Sequence, residues 1–265
     1  MEAKKSLGQN FLTSQGALKK IIEAAHLNHT ETVLEIGPGK GILTEQLLKA
    51  AKKVIAVEKD ARLIPLLTEK FCAELQAGTL VLHEGDILDT DLEKMGFSDH
   101  SFTVVANIPY YITGELLRRL LSGKIQPNRA VLLLQKEVAE RIARSKKESL
   151  LSLSIKAYGK ASYIATVPRG SFTPAPTVDS AILSIESISR DFFDTMPQER
   201  FFETIKLGFG QKRKQLIGNL KSCAPREALE SIFISLNLPL TIRAEDLQLL
   251  SWKALILTLG THRNP

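Results

Sequence analysis

The chain has 265 residues, 44% of them hydrophobic and 24% charged, a balance that excludes a disordered, collagen-like or coiled-coil protein. Two cysteines, Cys72 and Cys223, are too few for a disulfide framework or a four-ligand zinc site, and no apolar run approaches the ~20 residues of a membrane span. The net charge of +6 suits a polyanionic partner only weakly, because residues 1–30, 31–185 and 186–265 each carry an excess of two basic residues.

The N-terminal residues show neither an apolar signal region nor an Arg-rich transit pattern, so a reducing cytoplasm is the expected location. Residues 1–30 read as an opening segment and a helix. Thr32-Val33-Leu34-Glu35-Ile36 then reads as a buried strand stopped by Gly37-Pro38-Gly39. Residues 42–51 follow with helical spacing, and 54–57 form a second strand. Residues 61–75 read as one helix, with Pro65 in its first turns, where proline is tolerated. Further strands are expected at 80–82, 102–105, 130–134, 163–167 and 178–185, with a helix at 113–121. Continuous apolar strands between helices indicate a mostly parallel sheet covered on both faces. Beyond about Ser189 only helical periods remain, as in Phe201/Phe202/Ile205 and Leu229/Ile232/Phe233/Leu236. The expected fold is therefore α/β: a seven-stranded domain over 1–189, then a small all-α domain over 190–265.

Gly37-Pro38-Gly39-Lys40-Gly41 joins the first strand to the first helix, where ligands bind in open parallel sheets. A dinucleotide loop wants a third small residue at the position that Ile42 occupies, and Pro38 removes an N–H from any pyrophosphate cradle. The G-x-G-x-G form suits a ligand without a phosphate, such as S-adenosylmethionine; a tight turn with no ligand is the alternative. Glu58 ends the second strand and offers two acceptor oxygens for ribose hydroxyls, or is only a helix-start charge. Asp86, after the third strand, can accept from an adenine amino group, or is only a turn residue.

Asn107-Ile108-Pro109-Tyr110 follows the fourth strand and has the form of an amino-methyltransferase signature. An exocyclic base amine is a poor nucleophile, because its lone pair is delocalised into the ring. Two acceptors aimed at its hydrogens, the Asn107 side-chain oxygen and the Ile108 carbonyl, favour a pyramidal nitrogen. Pro109 restricts Ile108 to an extended conformation, and Tyr110 offers a face for stacking. An ordinary strand-to-loop turn is the alternative. A base treated in this way must be single-stranded or flipped out. Phe172, between Ser171 and Thr173-Pro174-Ala175-Pro176, is a candidate second aromatic wall, or a core residue.

These residues resemble the KsgA family of ribosomal RNA adenine dimethyltransferases over nearly the whole chain. The resemblance includes Leu7-Gly8-Gln9-Asn10-Phe11-Leu12 at the start, Gln135-Lys136-Glu137-Val138-Ala139-Glu140-Arg141, Phe172-Thr173-Pro174-Ala175-Pro176, and Phe209-Gly210-Gln211-Lys212-Arg213-Lys214 in the helical tail. It implies a Rossmann-like class I methyltransferase that places two methyls on N6 of each of two adjacent adenosines. These lie in the 3′-terminal hairpin loop of small-subunit (16S) rRNA, and a role in subunit assembly is implied as well. By the same resemblance, Asn10, Leu12, Gly37, Gly39, Glu58, Asp86 and Asn107 contact S-adenosylmethionine. Asn107, Ile108, Pro109, Tyr110 and Phe172 handle the base. Lys212, Arg213 and Lys214 contact rRNA phosphates, unless they are a solvated helix start.

Ile108 stands where the family usually has leucine. Isoleucine is common in the related Erm enzymes, which methylate large-subunit rRNA, and that activity is one alternative. A non-catalytic RNA-binding assembly factor is the other; the intact Gly37/Glu58/Asp86/Asn107/Tyr110 set argues against it. No metal is expected, since His26, His29, His83, His100 and His262 show no ligand spacing. The protein is expected to act as a monomer, with no membrane and no protein partner implied.

Overall fold

A computed structural model describes residues 4 and 7–261 of the chain. Lys5, of the Lys4-Lys5 pair, and His262 lie outside the described residues. The chain divides into two compact units, one of residues 1–140 and 159–188 and the other of 141–158 and 189–265.

The first unit is built on a seven-stranded sheet. Its strands are β2 (Thr32–Ile36), β3 (Lys53–Glu58), β4 (Leu80–Glu84), β5 (Phe102–Asn107), β6 (Arg129–Gln135), β7 (Lys160–Val167) and β9 (Ser180–Glu186). Their order is β4-β3-β2-β5-β6-β9-β7, with β9 alone running opposite to the other six. Val33, Leu34, Val54, Val104, Val105, Val131 and Leu132 are fully buried, which explains why the central strands read as continuous apolar runs. β7 lies at the edge and alternates in exposure, so its first half carries no apolar run and extends further than the sequence suggests. The chain runs outward from β2 through β3 to β4, then returns to place β5 beside β2. This reversal opens a crevice at the carboxyl ends of β2 and β5.

Two short strands, β1 (Phe11–Leu12) and β8 (Phe172–Thr173), form a separate antiparallel pair. The helix α1 (Gln15–Ala25) starts at Ser14, whose hydroxyl accepts the Ala17 amide, and buries Leu18 and Ile21. The helix α2 (Ile42–Ala50) follows the glycine loop. The single helix expected over 61–75 is two, α3 (Ile64–Lys70) and α4 (Cys72–Gln76). They part at Phe71, which leaves helical geometry (φ −114°, ψ 31°) and buries its ring against Gly41. The helix α5 (Thr113–Ser122) buries Leu116, Leu117, Leu120 and Leu121.

The second unit corrects the expected boundary. From the last turn of α6 (Lys136–Ala143), residues 141–158 belong to the helical unit rather than to the sheet domain. The cause is packing: Leu153 and Ala157, on and just after α7 (Leu150–Lys156), join the core of Phe201, Ile205, Leu229, Phe233, Trp252 and Leu255. The Glu148 amide also donates to the Glu245 carbonyl. The rest of this unit is α8 (Gln198–Gly208), α9 (Leu216–Asn219), α10 (Arg226–Ser235) and α11 (Leu249–Thr261). Among the described residues no helix is long and apolar enough to cross a membrane, and no cluster of His, Cys, Asp and Glu is placed to hold a metal ion.

Candidate active site

The crevice at the ends of β2 and β5 is a solvent-open cleft with an empty volume of about 790 Å³. One wall is the glycine loop. Gly37, Gly39 and Gly41 have φ of 69°, 60° and 74°, a region that side chains rarely enter. Space is also short: a Cβ on Gly39 would lie 3.0 Å from the Phe11 ring, and one on Gly41 2.5 Å from Phe71. These glycines let the backbone turn tightly and keep its amides near the cleft floor.

Glu58 closes β3 and is 5% exposed. Its Oε2 accepts the Gly39 amide at 3.0 Å, and its Oε1 accepts the Asp60 amide at 2.8 Å. Burial raises its carboxyl above the ordinary range, and the two amides act against that rise. Each oxygen keeps a further lone pair, so the fixed carboxylate can still accept from a ligand's hydroxyls. Asp86, just after β4, lines the same cleft. Lys59 Nζ donates to its Oδ2 at 2.5 Å and the Leu88 amide to its Oδ1 at 3.0 Å. Burial opposes ionisation, but these donors hold the Asp86 carboxyl below the ordinary range. Asp86 is thus an anionic acceptor.

The end of β5 supplies the opposite wall. The Asn107 Nδ2 donates to the Asn10 carbonyl at 2.9 Å, which leaves Oδ1 as the acceptor end of the amide. The Ile108 side chain is buried and its amide is spent on the Leu133 carbonyl at 3.0 Å. No described donor reaches the Ile108 carbonyl. The Tyr110 hydroxyl lies 2.8 Å from Ser180 Oγ, which fixes the ring beside the cleft, and burial raises its pKa. Asn107, Ile108, Pro109 and Tyr110 line one cleft together with Gly37, Gly39, Glu58 and Asp86. Asn10 lines it as well, and Leu12, 5% exposed, packs beside the glycine loop.

Phe172, Lys212, Arg213 and Lys214 are not among the residues that line the cleft. Phe172 is 4% exposed, pairs with Leu12 across β1 and β8, and sits in the core of the first unit rather than along the cleft. The other aromatic rings that line the cleft are Phe11 and Tyr111, the latter 58% exposed and lying against Gly8. Lys212, Arg213 and Lys214 do not start a helix. They occupy an exposed turn between α8 and α9 in the second unit.

Sequence reasoning missed Gln9, Lys59 and Asp60. Gln9 Nε2 donates to Asp60 Oδ2 at 2.8 Å, and Arg62 grips the same carboxylate at 2.8 and 2.6 Å. Only the alternation Glu58-Lys59-Asp60-Ala61-Arg62 hinted at a charged knot there.

Residues 1–257 match the family model described as ribosomal RNA adenine dimethylase. The chain is 42% identical over 260 residues to "Ribosomal RNA small subunit methyltransferase A" of Dehalococcoides mccartyi, covering 97% of this chain and 88% of the relative. A protein of the same description from Geobacillus thermodenitrificans is 36% identical, covering 95% and 89%. Among solved structures, a dimethyladenosine transferase from Plasmodium falciparum superposes with a TM-score of 0.80 at 28% identity, covering 95% of this chain and 98% of that one. The 23S rRNA methyltransferase ErmE superposes with a TM-score of 0.78 at 25% identity, covering 95% and 100%.

Proposed function

The chain belongs to the ribosomal RNA adenine dimethylase family, and from that premise we propose that it dimethylates N6 of two adjacent adenosines in the 3′-terminal hairpin loop of small-subunit (16S) rRNA. It is an S-adenosylmethionine-dependent methyltransferase. The observation that carries the reading is one cleft that joins a donor cradle to a pair of base-amine acceptors.

The residues fit the donor. A buried carboxylate locked by two backbone amides suits a ribose diol, and the anionic Asp86 suits an adenine amino group. Positive-φ glycines keep side chains away from that space. When bound, the donor supplies an electrophilic methyl on a sulfonium. The protein's part is positioning and polarisation, with no covalent nucleophile. The Asn107 Oδ1 and the Ile108 carbonyl accept hydrogen bonds from the two N6–H groups in the first transfer, and one of them accepts from the single remaining N6–H in the second, which draws the nitrogen lone pair out of the ring. Tyr110 stacks the extruded base. Isoleucine at 108 is neutral here, because its side chain is buried and only its carbonyl is used.

The small-subunit target is supported by 36–42% identity to small-subunit methyltransferases, against 25% to ErmE. The test is incubation with radiolabelled S-adenosylmethionine and under-methylated small subunits, beside naked large-subunit rRNA. Dimethyladenosine in the small subunit is the expected product. Label in the large-subunit RNA instead would transfer the reading to an Erm-like activity.

A further inference from the structure

We propose that Gln9 is a positioning residue for methyl transfer: by latching the N-terminal segment to Asp60, it holds the Asn10 carbonyl where that carbonyl orients the Asn107 amide. The inference rests on the acceptor role proposed above for Asn107 Oδ1.

A side-chain amide has two nearly isosteric ends, and only one of them can accept from the target amine. At Asn107 the choice is made by one contact, Nδ2 donating to the Asn10 carbonyl at 2.9 Å. Rotating the amide would set Oδ1 against another acceptor, so the bond selects the orientation that leaves Oδ1 for the base. The selection is only as firm as the Asn10 peptide. On its C-terminal side that peptide is anchored by β1, where Phe11 and Leu12 pair with Thr173 and Phe172 and are buried. On its N-terminal side the anchor is the Gln9 side chain. Gln9 Oε1 accepts the Lys4 amide at 2.7 Å and Nε2 donates to Asp60 at 2.8 Å, across 51 positions of sequence.

Asp60 is a rigid partner. It is 4% exposed, is gripped through two nitrogens by Arg62, and its own amide is bound by Glu58 Oε1. Arg62 holds the Asp60 carboxyl far below the ordinary range, so it stays an acceptor. The latch therefore ties the orientation of the base-amine acceptor to the carboxylate that fits the ribose.

The test is Gln9→Glu, which sets a carboxylate against Asp60, compared with Gln9→Lys, which keeps a donor facing the Asp60 oxygen that Arg62 also holds. Single-turnover methyl transfer to under-methylated small subunits is measured at saturating S-adenosylmethionine, beside donor affinity by calorimetry and melting temperature. Gln9→Glu is expected to slow transfer about ten- to hundredfold, the range of a slightly misplaced reacting geometry. Gln9→Lys is expected to keep most of the parent rate. An unchanged rate in Gln9→Glu, or an equal loss in Gln9→Lys, overturns the proposal. Asn107→Ala is run in parallel: impaired transfer there with a normal Gln9→Glu rate refutes the latch alone, whereas normal transfer by Asn107→Ala refutes the acceptor reading beneath it.

Discussion

The roles proposed for Asn107 and Tyr110 rest on different physics, and their variants separate the two. Asn107→Ala removes one preorganised acceptor, so transfer is expected to fall about a hundredfold or more while subunit binding stays nearly intact. Equal losses in rate and in binding would contradict the polarising role. Tyr110→Phe keeps the ring and loses only the contact with Ser180; it is expected to stay close to the parent rate. Tyr110→Ala gives up stacking worth ~1–3 kcal/mol, which should appear as weaker binding of the target loop. The four residues from Asn107 to Tyr110 were legible in the sequence because their chemistry is contiguous. Gln9 was not, because its meaning depends on Asp60 in a distant part of the chain. The sequence leaves Phe172 open between a cleft wall and a core position. Proline-flanked loops expose aromatics often enough, but here pairing of β8 with β1 turns the ring into the core.

At the level of elements, the turn from β2 into α2 concentrates the constraints. Gly41→Ala must accept a φ of 74° and place Cβ 2.5 Å from the Phe71 ring, so the buried ring must move. Gly78→Ala has nearly the same φ, 72°, but nothing within 4 Å. Gly78→Ala is expected to cost about 1–2 kcal/mol from backbone strain alone. Gly41→Ala should cost about 1–3 kcal/mol more from overpacking, as read by denaturant unfolding. Glu35, on β2 just before the loop, is 1% exposed, and its Oε2 has no partner among the described residues. Burial pushes its carboxyl up to about 8, countered in part by Thr44 and reinforced by Glu58. The folded state therefore holds the proton more tightly than the unfolded one. Stability is full below the ordinary 4.5 and declines as pH rises toward and through about 8. Glu35→Gln is expected to flatten the fall of melting temperature across that window; an unchanged slope would show that Glu35 does not titrate there. The strands of this sheet were readable because burial on both faces writes them as apolar runs. The β1–β8 pair was not, since two residues make no period.

For the whole molecule, chain order and packing order diverge. Residues 141–158 leave the sheet unit between β6 and β7 and join the helical one, and nothing in their composition announces it. Leu153 and Ala157 have the same apolar character whichever core they enter. That helical unit carries the exposed turn of Lys212, Arg213 and Lys214, while the base-handling residues belong to the sheet unit. If the turn grips phosphates, its contribution is counterion release, which scales with the number of charges and is indifferent to the methylation chemistry. RNA binding should then weaken steeply with salt. Replacing all three residues by alanine should lower the magnitude of the log–log salt slope by about 2, near 0.7 per lost contact for unpaired RNA. Single-turnover methyl transfer at saturating RNA should stay close to the parent rate. Asn107→Ala should do the reverse, lowering the rate and leaving the slope unchanged. Filter binding across a salt series reads both variants, and an unaltered slope in the triple variant would remove this turn from the RNA-binding surface.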